Sequence, residues 1–256
     1  MIAIIGGPGI HEMEMLKNVK NVNVETEYGS VPLKSGEYKG KKIFLLLRHG
    51  EDHSLPPHMI NYRANIKALK DLKVERIIST SAVGSLKKTI EPGDFVLLDQ
   101  FFDFTYLRKS TFFDKGIVHA DVTEPYCPQM QEVIREAASA VGIPIFPKGV
   151  YVCTEGPRFQ TLVEIKRFIS LGGDVIGMTN VPEVVLAREA NICFASIATA
   201  TNFAAGVSST QVPHERVNEI MTETNKKMRN LLYRIMDVMP ECRACECGNK
   251  VTAWDF

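Results

Sequence analysis

Four stretches of this chain carry residue types suited to holding an anion or flooring a substrate site. Gly177-Met178-Thr179-Asn180-Val181-Pro182-Glu183 joins an apolar run to a helical pattern through a methionine and small hydroxyl or amide side chains. The run Ile2 to Ile5 feeds Gly6-Gly7-Pro8-Gly9, where closely spaced glycines let backbone N–H groups approach an anion, although a tight turn explains them equally well. Their spacing fits neither G-x-G-x-x-G nor G-x-x-x-x-G-K-[ST], which disfavours dinucleotide and P-loop sites. Another apolar run delivers Arg48-His49-Gly50, with His53 beyond, and a guanidinium fork beside imidazoles suits a dianionic oxyanion. Ser79-Thr80-Ser81-Ala82-Val83-Gly84-Ser85 adds hydroxyls and a glycine-loosened backbone. Each stretch alone is as readily structural. Together, at the carboxyl ends of strands where α/β sheets bind ligands, they point to a phosphate site.

The elements that must position them read as alternating strands and helices. Apolar, β-branched runs recur at Ile2 to Ile5, Ile43 to Leu47, Val74 to Ile78, Phe95 to Leu98, Gly149 to Cys153, Asp174 to Gly177 and Cys193 to Ile197. Helical patterns lie at His58 to Leu69, Pro128 to Val141, Thr161 to Leu171, Val181 to Glu189, and about His214 to Val238. The fold class is therefore α/β, with a central mixed β-sheet flanked by helices. Pro182 occupies a helix N1 position, Thr179 and Asn180 are placed to cap the first turn, and Glu183 adds a favourable charge there. No repeat or linker divides the chain, so residues 1–256 read as one domain, with a Cys-rich tail at 240–256. The aromatic, poorly periodic stretch from Phe101 to Glu124 reads as a long functional loop at a subunit edge or over a pocket.

Composition narrows the partners. The 256 residues are 45% hydrophobic and 23% charged, and 30 basic side chains balance 30 acidic ones, so no electrostatic footprint marks nucleic acid or a membrane surface. No run approaches the roughly 20 apolar residues of a membrane span, and the N-terminal apolar run is too short for a signal peptide, which predicts a cytoplasmic protein. Of six cysteines, Cys242, Cys245 and Cys247 form a C-x-x-C-x-C tail, while Cys127, Cys153 and Cys193 are scattered. Zinc is the least favoured reading of the tail, because it lacks a fourth ligand and no histidine lies within finger spacing. A disulfide in the tail, or from tail to body, and free thiols in a solvated tail remain open.

The chain resembles the trimeric purine nucleoside phosphorylases and methylthioadenosine phosphorylases. "GMTNVPEVVLAREA" is similar to their signature G-M-[ST]-x-V-P-E-x-x-[LV]-A-[RK], and "LLRHGEDH", "NYRANIKALK", "TSAVGSL", "PGDFVLLDQFFD", "EPYCP" and "EGPRFQT" follow in the family's order from Ile2 to about Met228. The resemblance implies the nucleoside phosphorylase fold, with Arg48, His49, Ser81, the Ala82 backbone and Thr179 holding phosphate, and Met178 beneath the ribose. Pro8 departs from the family, which carries a Thr or Ser there; a proline offers neither hydroxyl nor N–H.

By the same resemblance, Ala198 to Gly206 is the base-binding strand. The adenine-specific branch reads "TDYD" where this chain has Thr201-Asn202-Phe203-Ala204. Asn202 with Ala204 favours a 6-oxopurine, since an amide donates to a 6-oxo group and accepts from N7–H. After Phe159, Gln160 stands where 6-oxopurine enzymes place a glutamate, and gives a weaker signal in the same direction. Pro213-His214-Glu215 is similar to a segment whose histidine meets the 5′-hydroxyl, although it is also an ordinary helix start. His119 matches a histidine that reaches a neighbour's site, which implies a homotrimer or a dimer of trimers.

The reaction so implied is phosphorolysis of inosine or guanosine to base and ribose 1-phosphate, with Asn202, His49 and Arg48 as its principal catalytic groups. Phosphate is a co-substrate, and neither cofactor, metal nor covalent nucleophile is needed. A methylthioadenosine or methylthioinosine phosphorylase is the alternative, and an inactive nucleoside-binding relative, motivated by Pro8 and Gln160, is the reading from another class. Nucleoside hydrolysis is disfavoured, lacking the aspartate-rich calcium site that such chemistry uses.

Overall fold

Along the first strand, β1 (Ile2–Gly6), side chains alternate between two hydrophobic clusters: Ala3 and Ile5 enter one, Ile2 and Ile4 the other. Both faces of the sheet are therefore covered, and the strand reads as a continuous apolar run. The computed structural model describes residues 1–6, 13–208 and 214–254, with 214–219, 221 and 254 described by their backbone alone.

An antiparallel hairpin of β2 (Lys17–Thr26) and β3 (Gly29–Tyr38) leads to β4 (Lys41–Leu47). Helix α1 (Tyr62–Asp71) precedes β5 (Arg76–Ser85), and β6 (Phe95–Leu97), β7 (Gln100–Phe104) and β8 (Ile117–Ala120) lead to α2 (Pro128–Ala140). There follow β9 (Ile145–Phe146), β10 (Val150–Thr154), α3 (Leu162–Ser170), β11 (Val175–Gly177), α4 (Asn180–Glu189), β12 (Cys193–Phe203), α5 (His214–Val238) and β13 (Val251–Trp254). Helices α1 and α4 cover one face of the sheet, α2 and α5 the other. Helix α3 packs Ile165 and Phe168 on a smaller cluster with Val152 and Ile176. It begins at a capping box, Thr161 with Glu164, which contributes about 1 kcal/mol.

The sheet is mixed, as expected, with 11 strands: a path β2-β3-β4-β1-β5-β11-β10-β7, with β12, β6 and β9 attached through β5. Strand β5 organises it. One edge pairs with β12 over almost its whole length. The opposite edge pairs with β1 from Arg76 to Ser79 and then with β11 at Gly84 and Ser85. Between Ser79 and Gly84, no strand among the described residues pairs that edge. Such a break in strand order is where open α/β sheets bind ligands.

Three expectations change. Ser79 to Ser85 does not follow a strand; it is the second half of β5. The stretch from Phe101 to Glu124 contains β7 and β8 and is irregular between them and from 121 to 124. The tail is not a solvated appendage: β13 pairs with β8, and Cys247 is buried.

Candidate active site

Strand β4 ends at Leu47, and the next residue, Arg48, turns its side chain into the interior beneath the break in β5. There it meets Glu183, 135 residues later, through Nε to Oε1 at 2.8 Å and Nη2 to Oε2 at 2.9 Å. Nη2 also donates to Ser79 Oγ and Nη1 to the Thr80 carbonyl, each at 2.7 Å, and Ser79 Oγ donates on to Glu183. Burial works against the guanidinium's charge, but the Glu183 carboxylate outweighs it and the Arg48 pKa is raised. The fork is thus occupied, and only a second Nη1 hydrogen remains for an anion.

Regular helix in α4 begins at Pro182, as the N1 reading expects, but the cap expected of Thr179 and Asn180 does not form. Val181 is non-helical (φ −107°, ψ 130°), and the Thr179 side chain makes no cap. The Asn180 amide is turned inward instead, accepting from the Tyr126 hydroxyl at 2.6 Å and donating to Ser196 at 3.0 Å. Glu183 is a fully buried counter-ion, where the sequence suggested only a charge favourable to the helix start.

The open edge of β5 presents Ser81 and Ala82. Ser81 Oγ is buried with no hydrogen-bond partner among the described residues, a state that costs about 1–3 kcal/mol unless a ligand meets it. Because β11 runs antiparallel to β5, the chain leaving it through Met178 and Thr179 returns alongside this edge. The Thr179 N–H donates to the Tyr151 hydroxyl at 3.2 Å. Gly177 admits that hydroxyl: any Cβ there would collide with the Tyr151 ring. Gly156, at φ +69°, lies against the Met178 sulfur, so the "EGPRFQ" loop seats Met178 from the other side.

The far end of the cleft is set by β12. Its register against β5 shifts between Ala200 and Asn202, a bulge of the kind that re-aims a side chain. Asn202 lies beside Gly84, with Ala204 close by. Its Oδ1 accepts from Thr201 Oγ1 and its Nδ2 donates to the Phe203 carbonyl, each at 2.9 Å. That carbonyl fixes the amide orientation, since a flip would set two acceptors against each other. One lone pair on Oδ1 and one hydrogen on Nδ2 stay available, an acceptor and a donor side by side. Gln160 donates to Thr154 Oγ1 at 2.9 Å, and Thr154 reaches the Gly177 carbonyl, which ties the "EGPRFQ" loop to the methionine floor. Phe159 is 83% exposed and touches none of these groups.

His49 is half-buried, its Nδ1–H donating to the Leu55 carbonyl at 2.8 Å and its ring 4.5 Å from that of His53. Burial pushes its pKa below the usual histidine value, with Arg48 and His53 acting in the same direction. His119 is exposed on β8, opposite Thr252 of β13, and does not join the cleft of its own chain. Pro8 and the side chain of His214 lie outside the described residues.

The model of the phosphorylase superfamily matches residues 1–237 of this sequence. The chain belongs to the phosphorylase superfamily. It is 51% identical to a probable 6-oxopurine nucleoside phosphorylase from Moorella thermoacetica, over 96% of both chains. It is 46% identical to the 6-oxopurine nucleoside phosphorylase of Pyrococcus furiosus, again over 96% of each. A methylthioadenosine phosphorylase from an antarctic soil metagenomic library superposes with TM-score 0.93 at 36% identity, covering 98% of this chain and 90% of the other. The family and the fold inferred from the motifs are those found.

Two residues around this phosphorylase-superfamily site do more than the sequence reading assigned them. Glu183 was visible within the signature, but only the Arg48 contact shows what it does. Arg108 carried no signal at all. Its guanidinium is buried beneath the "EGPRFQ" loop, paired with Glu155 at 3.0 Å and donating to the carbonyls of Val181 and Glu155, each at 2.7 Å. Burial opposes the Glu155 charge, but the Tyr106 N–H and Arg108 hold its carboxyl below the usual range. No helix among the described residues is long and apolar enough to cross a membrane.

Proposed function

We propose that this chain cleaves 6-oxopurine ribonucleosides with phosphate, converting inosine or guanosine to free base and ribose 1-phosphate. The C1′–N9 bond breaks, a phosphate oxygen bonds to C1′, and the electron pair of the broken bond leaves with the base. Asn202 carries the reading: its free lone pair suits a proton on N7, and its free N–H suits O6, where negative charge gathers as the base departs. An aspartate in its place would set a carboxylate oxygen against the Phe203 carbonyl. The names borne by the Moorella and Pyrococcus relatives support the same substrate class.

Phosphate is assigned to the open edge of β5, supported by the unsatisfied Ser81 hydroxyl, the remaining Arg48 N–H, His49, the Ala82 backbone and the Thr179 side chain, which caps no helix. Met178 would floor the ribose, Gln160 would accept from N1–H, and His214 would meet the 5′-hydroxyl. The reaction needs no cofactor. A homotrimer or dimer of trimers, with His119 entering the neighbour's cleft, is part of the proposal. It is supported by the exposure of His119 and of Tyr106, Leu107 and Phe159. So is a cytoplasmic location, the expectation drawn from the sequence.

Phosphate-dependent base release from inosine, guanosine, adenosine, methylthioadenosine and methylthioinosine, measured side by side, tests this. Inosine or guanosine should be favoured. Preference for methylthioadenosine, the reading that the metagenomic structure favours, would overturn the assignment, and no turnover of any would point to a binding protein.

A further inference from the structure

Far from the cleft, the fold gathers four cysteines that the sequence keeps apart. Cys127 stands at the start of α2, Cys193 opens β12, and Cys245 and Cys247 lie in the tail after α5. Their sulfurs all fall within 4.8 Å of one another, with Cys193 and Cys245 Sγ atoms 3.4 Å apart. Cys127, Cys193 and Cys247 are buried, and Cys245 is half-buried. None is in a disulfide. The tail disfavoured zinc because it held too few ligands, but its own third cysteine, Cys242, is exposed and outside the cluster; the body supplies the missing pair.

We propose that Cys127, Cys193, Cys245 and Cys247 bind one structural zinc ion that fastens the C-terminal tail to the body. A tetrahedral ion at about 2.3 Å from each sulfur needs sulfurs about 3.8 Å apart, which is the spacing regime of this cluster. With every position filled by thiolate, the site is of the closed, structural kind and leaves no place for substrate. Zinc entry displaces the thiol protons to solvent. The surroundings fit a group carrying net negative charge. Arg188 is buried beside the cluster, anchored to the Pro125 and Glu124 carbonyls, and its Nη1 has no hydrogen-bond partner. The Arg188 charge is near enough to act on the Cys247 sulfur.

The site has a mechanical role. The tail between α5 and β13 is also held by hydrogen bonds that include Ala244 N–H to Gln129 at 3.0 Å, Arg243 to the Asn191 carbonyl at 3.0 Å, Arg76 to the Glu241 carbonyl at 3.3 Å, and Lys250 to Asp121 at 2.9 Å. Zinc would fix the segment that presents β13, hence β8.

The full-length protein, purified without added metal under reducing conditions, should contain one zinc per chain by elemental analysis. The zinc-stripped protein should take up one cobalt ion, with the intense thiolate-to-metal absorption of a tetrahedral sulfur site. Cys127→Ser and Cys247→Ser should each lose the zinc, whereas Cys242→Ser should keep it. Because buried variants could fail to fold, Cys245→Ser, at the half-buried position, and cobalt titration of the unaltered chain stand independently. A metal-free protein that takes up no cobalt overturns the assignment. So does iron in place of zinc, or an intact mass showing these four cysteines oxidised to disulfides.

Discussion

Arg48 and Glu183 form a two-pronged ion pair that no solvent reaches, with side chains 2% and 0% exposed. The pair joins the end of β4 to the first turn of α4, and Ser79 closes it from β5. Its geometry leaves the guanidinium rigid, with one N–H directed away from the carboxylate.

Removing the carboxylate should therefore damage stability before chemistry. Glu183→Ala leaves a buried, unpaired guanidinium and should cost about 3–5 kcal/mol in urea unfolding. A loss under about 1 kcal/mol would show that Arg48 finds another partner.

Ser81 should behave in the opposite way. Its hydroxyl is buried and unpaired without ligand, so Ser81→Ala should leave stability unchanged or slightly raised while the KM for phosphate rises about tenfold, equivalent to one hydrogen bond of about 1.4 kcal/mol. Loss of stability with KM unchanged would remove Ser81 from the phosphate site.

Asn202→Asp should shift the ratio of kcat/KM for inosine to that for adenosine toward adenosine, by roughly 10–100-fold for a changed hydrogen bond to a charged group. Its orientation against the Phe203 carbonyl predicts, in addition, a small loss of stability. An unchanged ratio would show that the base is read elsewhere.

His49 gives the pH dependence. Its folded pKa lies below the unfolded value of about 6.5, so the native state binds fewer protons, and stability is full above that pH. As the pH falls through about 6.5 the unfolded chain takes up the proton first; the loss then levels off below the folded pKa. Melting temperature between pH 8 and pH 5 should fall less in His49→Asn than in the unaltered protein. Identical profiles would show that His49 titrates normally.

What was legible in the sequence followed from burial. Strands covered on both faces, such as β1 and β4, announce themselves as apolar runs, and the amphipathic helices do likewise. The β2 and β3 hairpin escaped because β2 is largely exposed and its valines alternate with Lys, Asn and Glu. Strand β5 looked as if it ended at Ile78, because the residues that follow are polar where they face the cleft. Of the residues recognised by motif, Arg48, Ser81, Ala82, Met178, Thr179 and Asn202 lie around one break in the sheet, whereas Phe159 and His119 stand apart from it. What could not be read was pairing at a distance: Glu183 with Arg48, Arg108 with Glu155, and two body cysteines with two in the tail. Each depends on how remote segments meet, which local spacing does not encode.

The gap along β5 makes the anion a structural component as much as a reactant. Over those residues the sheet lacks a neighbour among the described residues, and an oxyanion seated there would stand in for a strand, meeting the Ser81 hydroxyl. The protein would then be incomplete at rest and would tighten on filling. Phosphate alone, before any nucleoside arrives, should raise its resistance to heat in proportion to the logarithm of the concentration added.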